Sequence, residues 1–337
     1  MRYHAVPSLR FLSVAWRPLA RTALLFAAVL SLTFALLHLA PGDASTFLLP
    51  PGATTAEAAR LRADLGLDQP VAVQYARWVT GTLRGDLGMS FSEHRPVRDV
   101  LRDALPVSLA LGGLSLALSF AVGIAAGLVQ AARRGSRTDL ALTTASVVLA
   151  SAPAYWMGLA AIACFTYVAS MMGFPGWLRL PAIGMSTPGI ELHGIPRVLD
   201  FARHAILPVT LLAAIGAAGV ARYARTSALD VIDSDWMRTA RAKGLRESVV
   251  LRRHLLANLR APLVTLFALA LPGTVAGSVF IETIFGWPGM GRTMVAAIVA
   301  RDYPVVLGSA AAYAAIVIVA NLAAELALPW ADPRLRA

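Results

Sequence analysis

The chain has 337 residues, of which 57% are hydrophobic and 15% are charged, and its mean hydropathy is +0.65. This composition excludes a soluble globular domain, in which about a quarter of the residues are charged. The net charge of +11 would suggest a nucleic-acid partner in a soluble protein, but in a membrane protein it first indicates topology.

Six uncharged stretches are long enough, or nearly so, for the roughly 20 residues that a helix needs to cross a bilayer. In chain order they are 22–40, 105–132, 140–178, 205–221, 261–281 and 303–324. We expect the first to remain as an uncleaved helix, because its apolar run is longer than that of a signal peptide. Pro41-Gly42-Asp43 also replaces a small-x-small cleavage site there.

The third stretch is ambiguous, because it fits either one tilted span or two short helices broken near Pro153. With six spans, the basic clusters within 2–21, 133–137, 222–260 and 334–336 share one face, which then holds the whole excess of +11. The positive-inside rule makes that face cytoplasmic. Seven spans would destroy this asymmetry, so we predict six transmembrane helices with both termini in the cytoplasm.

Two outer segments and one inner loop connect the predicted spans. Segment 41–104 is long enough to hold short helices, whereas segment 179–203 is rich in proline and glycine and is predicted as an irregular loop. We predict an N-terminal region, residues 1–104, with the first transmembrane helix and the long outer loop. A five-helix core, residues 105–337, follows and contains the inner loop 222–260.

The sequence of the inner loop predicts a helix, a turn at Gly244 and a second helix. Asp235 is the expected cap of the first helix. Its apolar residues recur at near-helical spacing among cations: Trp236, Met237 and Ala240 are apolar, and Arg238, Arg241 and Lys243 are basic. Such a helix could lie on the anionic inner leaflet or dock into a groove of a soluble protein.

Enzymatic activity is not expected of this chain. It has no phosphate-binding loop that ends in Gly-Lys-Ser or Gly-Lys-Thr, and no His-Glu-x-x-His or Gly-x-Ser-x-Gly motif. Its single cysteine, Cys164, excludes an intrachain disulfide and a cysteine-based metal site. Any ATP hydrolysis must therefore come from another polypeptide, and no metal site is predicted.

An ordered set of motifs resembles the first of the two permease subunits of bacterial dipeptide and oligopeptide ABC importers. The motifs are Pro41-Gly42-Asp43, Leu65-Gly-Leu-Asp-Gln-Pro70, Gln74-Tyr75 with Trp78, Arg84-Gly-Asp-Leu-Gly88, Ser90-Phe91, Arg238-Thr-Ala-Arg-Ala-Lys-Gly-Leu245, Phe285-Gly-Trp-Pro-Gly-Met-Gly291, Ala300-Arg-Asp-Tyr-Pro-Val305 and Asp332-Pro-Arg-Leu-Arg336. The resemblance covers nearly the whole chain. It implies an all-α integral membrane protein with the type I ABC importer permease fold.

The resemblance also implies the partners and the location. The permease pairs with a second permease subunit, two cytoplasmic ATPases that use ATP and Mg²⁺, and an extracytoplasmic substrate-binding protein. This chain binds no cofactor and no nucleic acid, and it resides in the bacterial inner membrane. Alternating access then moves peptides across the membrane.

Three sets of residues are the candidate sites. By resemblance, the inner loop carries the ATPase-coupling motif of the family, in which Gly244 aligns with the glycine and Ala240 with the last alanine of Glu-Ala-Ala. The coupling residues are Asp235, Trp236, Arg238, Thr239, Ala240, Arg241, Lys243, Gly244 and Leu245. A tight or re-entrant loop near the translocation path is predicted for Phe285, Trp287, Pro288, Gly289 and Gly291, with a structural role favoured over direct gating. By resemblance, Gln74, Tyr75, Trp78 and Asp86 contact the binding protein.

Several alternatives stay open from the sequence. Relatives of such permeases also carry nickel chelates, glutathione or other small solutes. A stand-alone secondary transporter is less favoured, because the predicted spans hold essentially no ionisable residue at mid-membrane. A structural membrane subunit would not need the inner loop. Glu282 and Asp302 lie at span ends and are interpreted as interfacial charges near Arg292 and Arg301.

Overall fold

The structure is a computed structural model that describes residues 8–39, 49, 53–246, 249–250, 255–271, 273 and 278–331. Its regular elements are helices, in agreement with the predicted all-α class. In chain order they are α1 (Ser8–Leu39), α2 (Thr55–Asp64), α3 (Val71–Leu83), α4 (Val97–Ala132), α5 (Arg137–Ser151), α6 (Ala154–Ile162), α7 (Ala169–Met171), α8 (Ile195–Ile232), α9 (Asp235–Ala242), α10 (Leu256–Ala270), α11 (Val279–Ile284), α12 (Met290–Val299) and α13 (Tyr303–Ala331). The motifs Pro41-Gly42-Asp43 and Asp332-Pro-Arg-Leu-Arg336 lie outside the described residues.

Among the described residues, five helical segments are long and apolar enough to cross a membrane. They are Ala20–Leu39, Val97–Ala132, Ala154–Met171, Ile195–Ile232 and Tyr303–Ala323. The predicted span 261–281 overlaps α10, which is apolar but shorter. A multi-span membrane protein is therefore confirmed, whereas the count of six stays a prediction.

The third apolar stretch is broken at Ala152-Pro153. Ala152 has an extended backbone with ψ of 135°, as expected for a residue before proline. Beyond Pro153, α6 continues through a π-helical turn, Ala163–Val168, into α7. The loop that follows is tied back to this turn, because Leu180 N donates to Phe165 O and Thr166 Oγ1 donates to Leu180 O. Of the two alternatives for this stretch, the structure therefore shows two helices broken at Pro153 rather than one continuous helix.

Helix α8 is longer than predicted at both ends, and the interpretation of 179–203 as entirely irregular is wrong. Gly194, with φ of +64°, ends the loop, and Pro196 lies in the first turn of the helix. The helix then runs to Ile232, so the beginning of the inner loop is helical as well. The predicted span ends where the first charged residues occur. A helix can continue past charged residues when one of its faces stays buried, and Ala224 and Ala228 form such a buried face here.

The chain forms two compact units. Unit 1 comprises Met1–Asp103 with Met294–Val319, and unit 2 comprises Ala104–Thr293 with Ala320–Ala337. In unit 1, the long outer segment holds α2 and α3, as predicted. Thr54 starts α2 with a capping box, in which its hydroxyl accepts from Glu57 N and its own N–H donates to the Glu57 carboxylate.

Among the residues of unit 2 that the structure describes, two hydrophobic clusters stand out. The first joins α4, α6, α8 and α11 with the turn after α11, through Leu111, Ile162, Ala205, Leu207, Leu211, Ile281, Phe285 and Trp287. The second joins the ends of α4 and α8 with α9 and α10, through Ala131, Ala228, Met237, Ala240, Val250, Leu255 and Leu259. Ala240 of the predicted coupling residues and Phe285 and Trp287 of the predicted gating residues thus belong to different cores of one unit.

Candidate functional site

The predicted coupling segment forms the short helix α9, and its cap differs from the prediction. Ser234, not Asp235, is the N-cap residue, with extended φ and ψ of −72° and 149°. Asp235 is the first helical residue, where its negative charge interacts favourably with the helix dipole. Its carboxylate accepts from Arg238 Nη1 at 3.4 Å. Asp235 is therefore not the cap of α9 but lies in its first turn, in an exposed pair with Arg238.

Helix α9 has one buried face. Met237 and Ala240, which are 0% and 6% exposed, pack on Ala228, Leu255 and Leu259 of the second cluster. The other predicted coupling residues lie outside this core and are exposed: Asp235, Trp236, Arg238, Thr239, Arg241, Lys243, Gly244 and Leu245. The spacing of Met237 and Ala240 is that of a helix face, and it leaves a largely basic face toward solvent.

Gly244 ends this helix in the predicted turn. Its φ is +74°, a left-handed conformation that residues with a Cβ adopt at a cost, and its N–H donates to Arg241 O. A Cβ built on Gly244 would meet nothing within 4 Å, so the requirement for glycine is conformational rather than steric. The helix and the glycine turn are confirmed, and some of the second predicted helix lies outside the described residues.

An ion pair fixes the neighbouring inner turn. Asp139, 5% exposed, accepts from Arg225 Nε and Nη2 at 2.9 Å each and from Gly135 N at 3.0 Å. These bonds, from the Arg225 guanidinium first and the Gly135 N–H second, lower the pKa of Asp139 to about 2. The bidentate pair joins the start of α5 to α8, close in sequence to Ala228 beneath the inner helix.

The Phe285–Gly291 turn is a tight loop, as predicted, and most of its side chains are core residues. Phe285 and Trp287 are 1% and 0% exposed, and the Trp287 ring lies 5.6 Å from that of Phe201. Gly184 N donates to Phe285 O at 2.8 Å, which ties the turn to the loop before α8. Pro288 is exposed. The burial of Phe285 and Trp287 favours the structural role over direct gating.

Glu282 lies at the centre of this region, and its interpretation as an interfacial charge is wrong. Its side chain is 0% exposed and accepts four hydrogen bonds. Ser108 Oγ and Ser278 Oγ donate to Oε1, each at 2.6 Å, while Gly291 N and Arg292 N donate to Oε2 at 2.8 and 3.1 Å. The two backbone donors belong to the first turn of α12, where a carboxylate is favoured.

The glycines of the motif make room for this carboxylate. A Cβ on Gly289 would lie 2.5 Å from Glu282 Cδ and 2.6 Å from Ser108 Oγ, and one on Gly291 would lie 2.6 Å from Val279 Cα. Arg292 directs its guanidinium to Gly286 O at 2.8 Å, so its side chain supports the same turn. The motif thus encodes the socket of Glu282, which sequence reasoning missed.

Unit 1 also contains a fully buried carboxylate. Asp302, also 0% exposed, accepts from Ser90 Oγ at 2.6 Å and from Ser92 N and Oγ at 2.9 and 2.7 Å. The expectation of an interfacial charge is wrong here too. The Ser90-Phe91 motif therefore holds the outer turn against the start of α13.

Three of the four residues that are predicted to contact the binding protein make side-chain contacts within unit 1. Gln74 Nε2 donates to Gln69 O, Tyr75 Oη lies 2.6 Å from Ser31 Oγ, and the Trp78 ring stacks on Phe34 at 5.8 Å. Asp86 is exposed and accepts from Gly88 N at 3.0 Å. The motif that contains Gln74, Tyr75 and Trp78 thus packs α3 on α1.

Comparison with known proteins identifies the family. Residues 123–337 match a family model described as the inner membrane component of binding-protein-dependent transport systems. Residues 9–112 match the N-terminal region of the membrane components of such systems. The chain belongs to this family. Membership confirms the predicted resemblance and, with it, the type I ABC importer permease fold.

Individual relatives match over almost their whole length. The chain is 35% identical over 305 residues to an oligopeptide transport system permease protein of Bacillus subtilis, with 90% of this chain and 93% of the relative covered. It is 36% identical over 321 residues to an Escherichia coli protein named as a probable D,D-dipeptide transport system permease, with 93% and 94% covered. The chain is therefore a permease component of a transport system.

Proposed function

We propose that this protein is the membrane-spanning permease subunit of an ATP-driven importer for di- and oligopeptides. The relatives are named as oligopeptide and dipeptide permeases, and the similarity covers their transmembrane core as well as their N-terminal region. Nickel chelates, glutathione and other small solutes are the alternative substrates of the same importer class. The chain has no catalytic role, and ATP and Mg²⁺ act in separate ATPase subunits.

The main support for this function is the way in which helix α9 packs on the rest of unit 2. Its basic face is exposed and can enter a groove of an ATPase, while Met237 and Ala240 attach the helix to the ends of α4 and α8 through Ala131 and Ala228. A force on the exposed face is thereby transmitted to two long helices. A membrane-surface helix would instead turn an apolar face to lipid, but here the most apolar face of α9 is already buried.

This attachment suits an alternating-access cycle. ATP closes the two ATPases, the inner helices of the paired permeases move with them, and the transmembrane helices open outward to receive peptide. Gly244 lets the chain reverse direction directly after α9, and the Asp139–Arg225 pair keeps the adjoining inner turn attached to α8. A two-state helix bundle of this kind requires different ATPase contacts in its two states.

The predicted topology completes the proposal. Both termini and α9 lie in the cytoplasm of a bacterium, and α2 and α3 lie outside the inner membrane. The N-terminal region, residues 1–104, with Asp86 exposed, meets the substrate-binding protein together with a second permease subunit. The Phe285–Gly291 turn serves as a rigid corner of the core 105–337, because Phe285 and Trp287 are packed inside it.

Reconstitution tests this function. The chain is co-expressed with the neighbouring permease and ATPase genes and purified as a complex. The complex is placed in liposomes, and the binding protein is supplied either inside the liposomes or outside them. The expected result is ATP-dependent uptake of tri-alanine that requires the binding protein. Solute flux without ATPase would support a secondary transporter, and uptake of a nickel chelate but no peptide would assign the alternative substrate class.

A further inference from the structure

Unit 1 contains a cavity of about 750 Å³ that the transport cycle above does not use. Its wall is formed by the end of α1, by α2 and α3, by the turn that follows α3 and by the start of α13. This volume lies within the range of roughly 300–1,000 Å³ that is typical of small-molecule sites. All of these elements belong to one compact unit, so the cavity is a property of unit 1 itself.

One wall of the cavity is aromatic and apolar. Phe34, Trp78 and Tyr303 line it, and Phe34 and Trp78 are stacked with their ring planes 21° apart. Met89, which also lines the cavity, is 53% exposed. Such a surface is suited to apolar side chains and to the flat faces of amide bonds.

The cavity is also lined by two exposed residues of opposite charge, Arg77 and Asp64. Among the described residues, neither side chain has a hydrogen bond or ion pair. Gly66, also on the wall, allows the guanidinium to approach the backbone, since a Cβ there would lie 3.2 Å from Arg77 Nη1. A cation and an anion that are not paired with each other match a ligand that carries both charges at separate ends.

Sequence motifs converge on this cavity. Leu65-Gly-Leu of the Leu65–Pro70 motif, Asp86-Leu-Gly88 of the Arg84–Gly88 motif and Ser90-Phe91 all line it. The last of these is locked in place by the hydrogen bond between Ser90 Oγ and the buried Asp302 carboxylate. This part of the wall is thus a turn that a buried hydrogen bond holds in place, as in a preformed binding site.

We propose that this cavity is a binding site for a short zwitterionic peptide. The peptide carboxylate pairs with Arg77, its ammonium group pairs with Asp64, and its side chains lie on the wall of Phe34, Trp78 and Tyr303. A phospholipid headgroup is also zwitterionic, so labelling of the cavity by such a lipid is one of the outcomes that the test below distinguishes. The site rests on the proposed peptide function and adds a peptide-binding position on unit 1.

Photo-crosslinking tests the site. The full chain is placed in nanodiscs without its partners and is illuminated with a tripeptide that carries benzoylphenylalanine between two alanines. The expected adduct maps to cavity residues such as Trp78 or Met89 and is competed by tri-alanine but not by N-acetyl-tri-alanine amide, which lacks both charges. An adduct elsewhere, or no adduct, would overturn the site. A photoreactive phosphatidylethanolamine that labels the cavity and is not displaced by tri-alanine would overturn it as well.

Charge variants make the test specific. Arg77→Gln and Asp64→Asn should each weaken tri-alanine binding by about two- to fivefold, because each removes a charged contact at an exposed position. Arg98→Gln and Asp99→Asn remove an exposed pair of unit 1 that does not line the cavity, and should leave binding unchanged. Equal losses in both sets would contradict the assignment. Since a charge variant could fail to fold, crosslink mapping on the unmodified chain decides independently.

The outcome is separable from that of the proposed function. Uptake of tri-alanine by the complete importer without any adduct in the cavity would overturn the site and leave the function standing. An adduct in the cavity with no peptide uptake would support the site and count against the proposed function.

Discussion

Ser108 Oγ donates a buried hydrogen bond of 2.6 Å to Glu282 Oε1, and this contact joins α4 to α11 inside unit 2. The same hydroxyl oxygen accepts from Met290 N at 2.8 Å. Ser108 therefore satisfies a carboxylate and a helix N-terminus at once. Because both partners are buried, neither can turn to water if the hydroxyl is removed.

Ser108→Ala should destabilise the protein by about 1–3 kcal/mol, because it leaves Met290 N without an acceptor and removes one donor from Glu282. The midpoint of thermal unfolding in detergent measures the effect. Thr283→Val is the matched control, because that exposed hydroxyl bonds only to Val279 O of its own helix. Equal midpoints for Ser108→Ala and the unmodified protein would show that the contact contributes nothing.

Gly289→Ala should cost about 1–3 kcal/mol or more through overpacking, because the new methyl group would lie 2.5 Å from the Glu282 carboxylate. Gly219→Ala provides the comparison. Gly219 is an exposed glycine of α8 whose Cβ would meet nothing within 4 Å, so alanine there should be neutral or slightly stabilising. Similar thermal midpoints for the two variants would argue against the Glu282 socket.

Much of the fold was accessible from hydropathy, because uncharged runs such as those of α4 and α13 mark buried or lipid-facing helices directly. The bounds were less accessible, since α8 continues past Arg203 and Arg222 by burying only one face. The candidate sites were located through their motifs, and their functional roles stay predictions, whereas Gly289 and Gly291 do lie at tight approaches, as a tight loop requires. The partners of Glu282 and Asp302 could not be predicted, because Ser108 and Ser90 are distant in sequence and nothing local indicates the pairing.

The Asp139–Arg225 pair predicts a pH dependence of stability. The pKa of Asp139 falls from 3.8 to about 2 in the folded protein, so its carboxylate stabilises the fold above about pH 4, and this stabilisation is lost as the pH falls toward 2. Asp139→Asn should therefore lower the thermal midpoint at pH 7 by an amount that stays constant to about pH 5 and shrinks below about pH 4. Asp233→Asn, in the exposed pair with Arg134, should have little effect. A gap that widens on acidification would contradict this account.

Gly244→Val should uncouple ATP hydrolysis from transport. At φ of +74° an L-residue costs about 1–2 kcal/mol, and a β-branched one is the least tolerated, so the turn after α9 would rearrange. Gly244→Asn should retain most coupling, because asparagine adopts this conformation readily and its Cβ meets no neighbour within 4 Å. The number of ATP molecules hydrolysed per peptide imported by the reconstituted complex is the measurement. Equal ratios for the two variants would show that the turn is not required.

Ala240 and Lys243 differ in burial, since Ala240 is packed in the second cluster and Lys243, which directly follows the last residue of α9, is exposed. Ala240→Glu should place a charge in that core, which lowers the thermal midpoint and detaches α9, so that transport falls together with stability. Lys243→Glu should keep the midpoint of the unmodified protein but weaken co-purification of the ATPase, because it changes only the solvent-facing charge. A thermal loss in Lys243→Glu, or full transport in Ala240→Glu, would contradict the division of α9 into an anchoring face and a docking face. If both variants instead kept stability and lost the ATPase, the basic face would extend around the helix and the buried seat of Ala240 would have to open during the cycle.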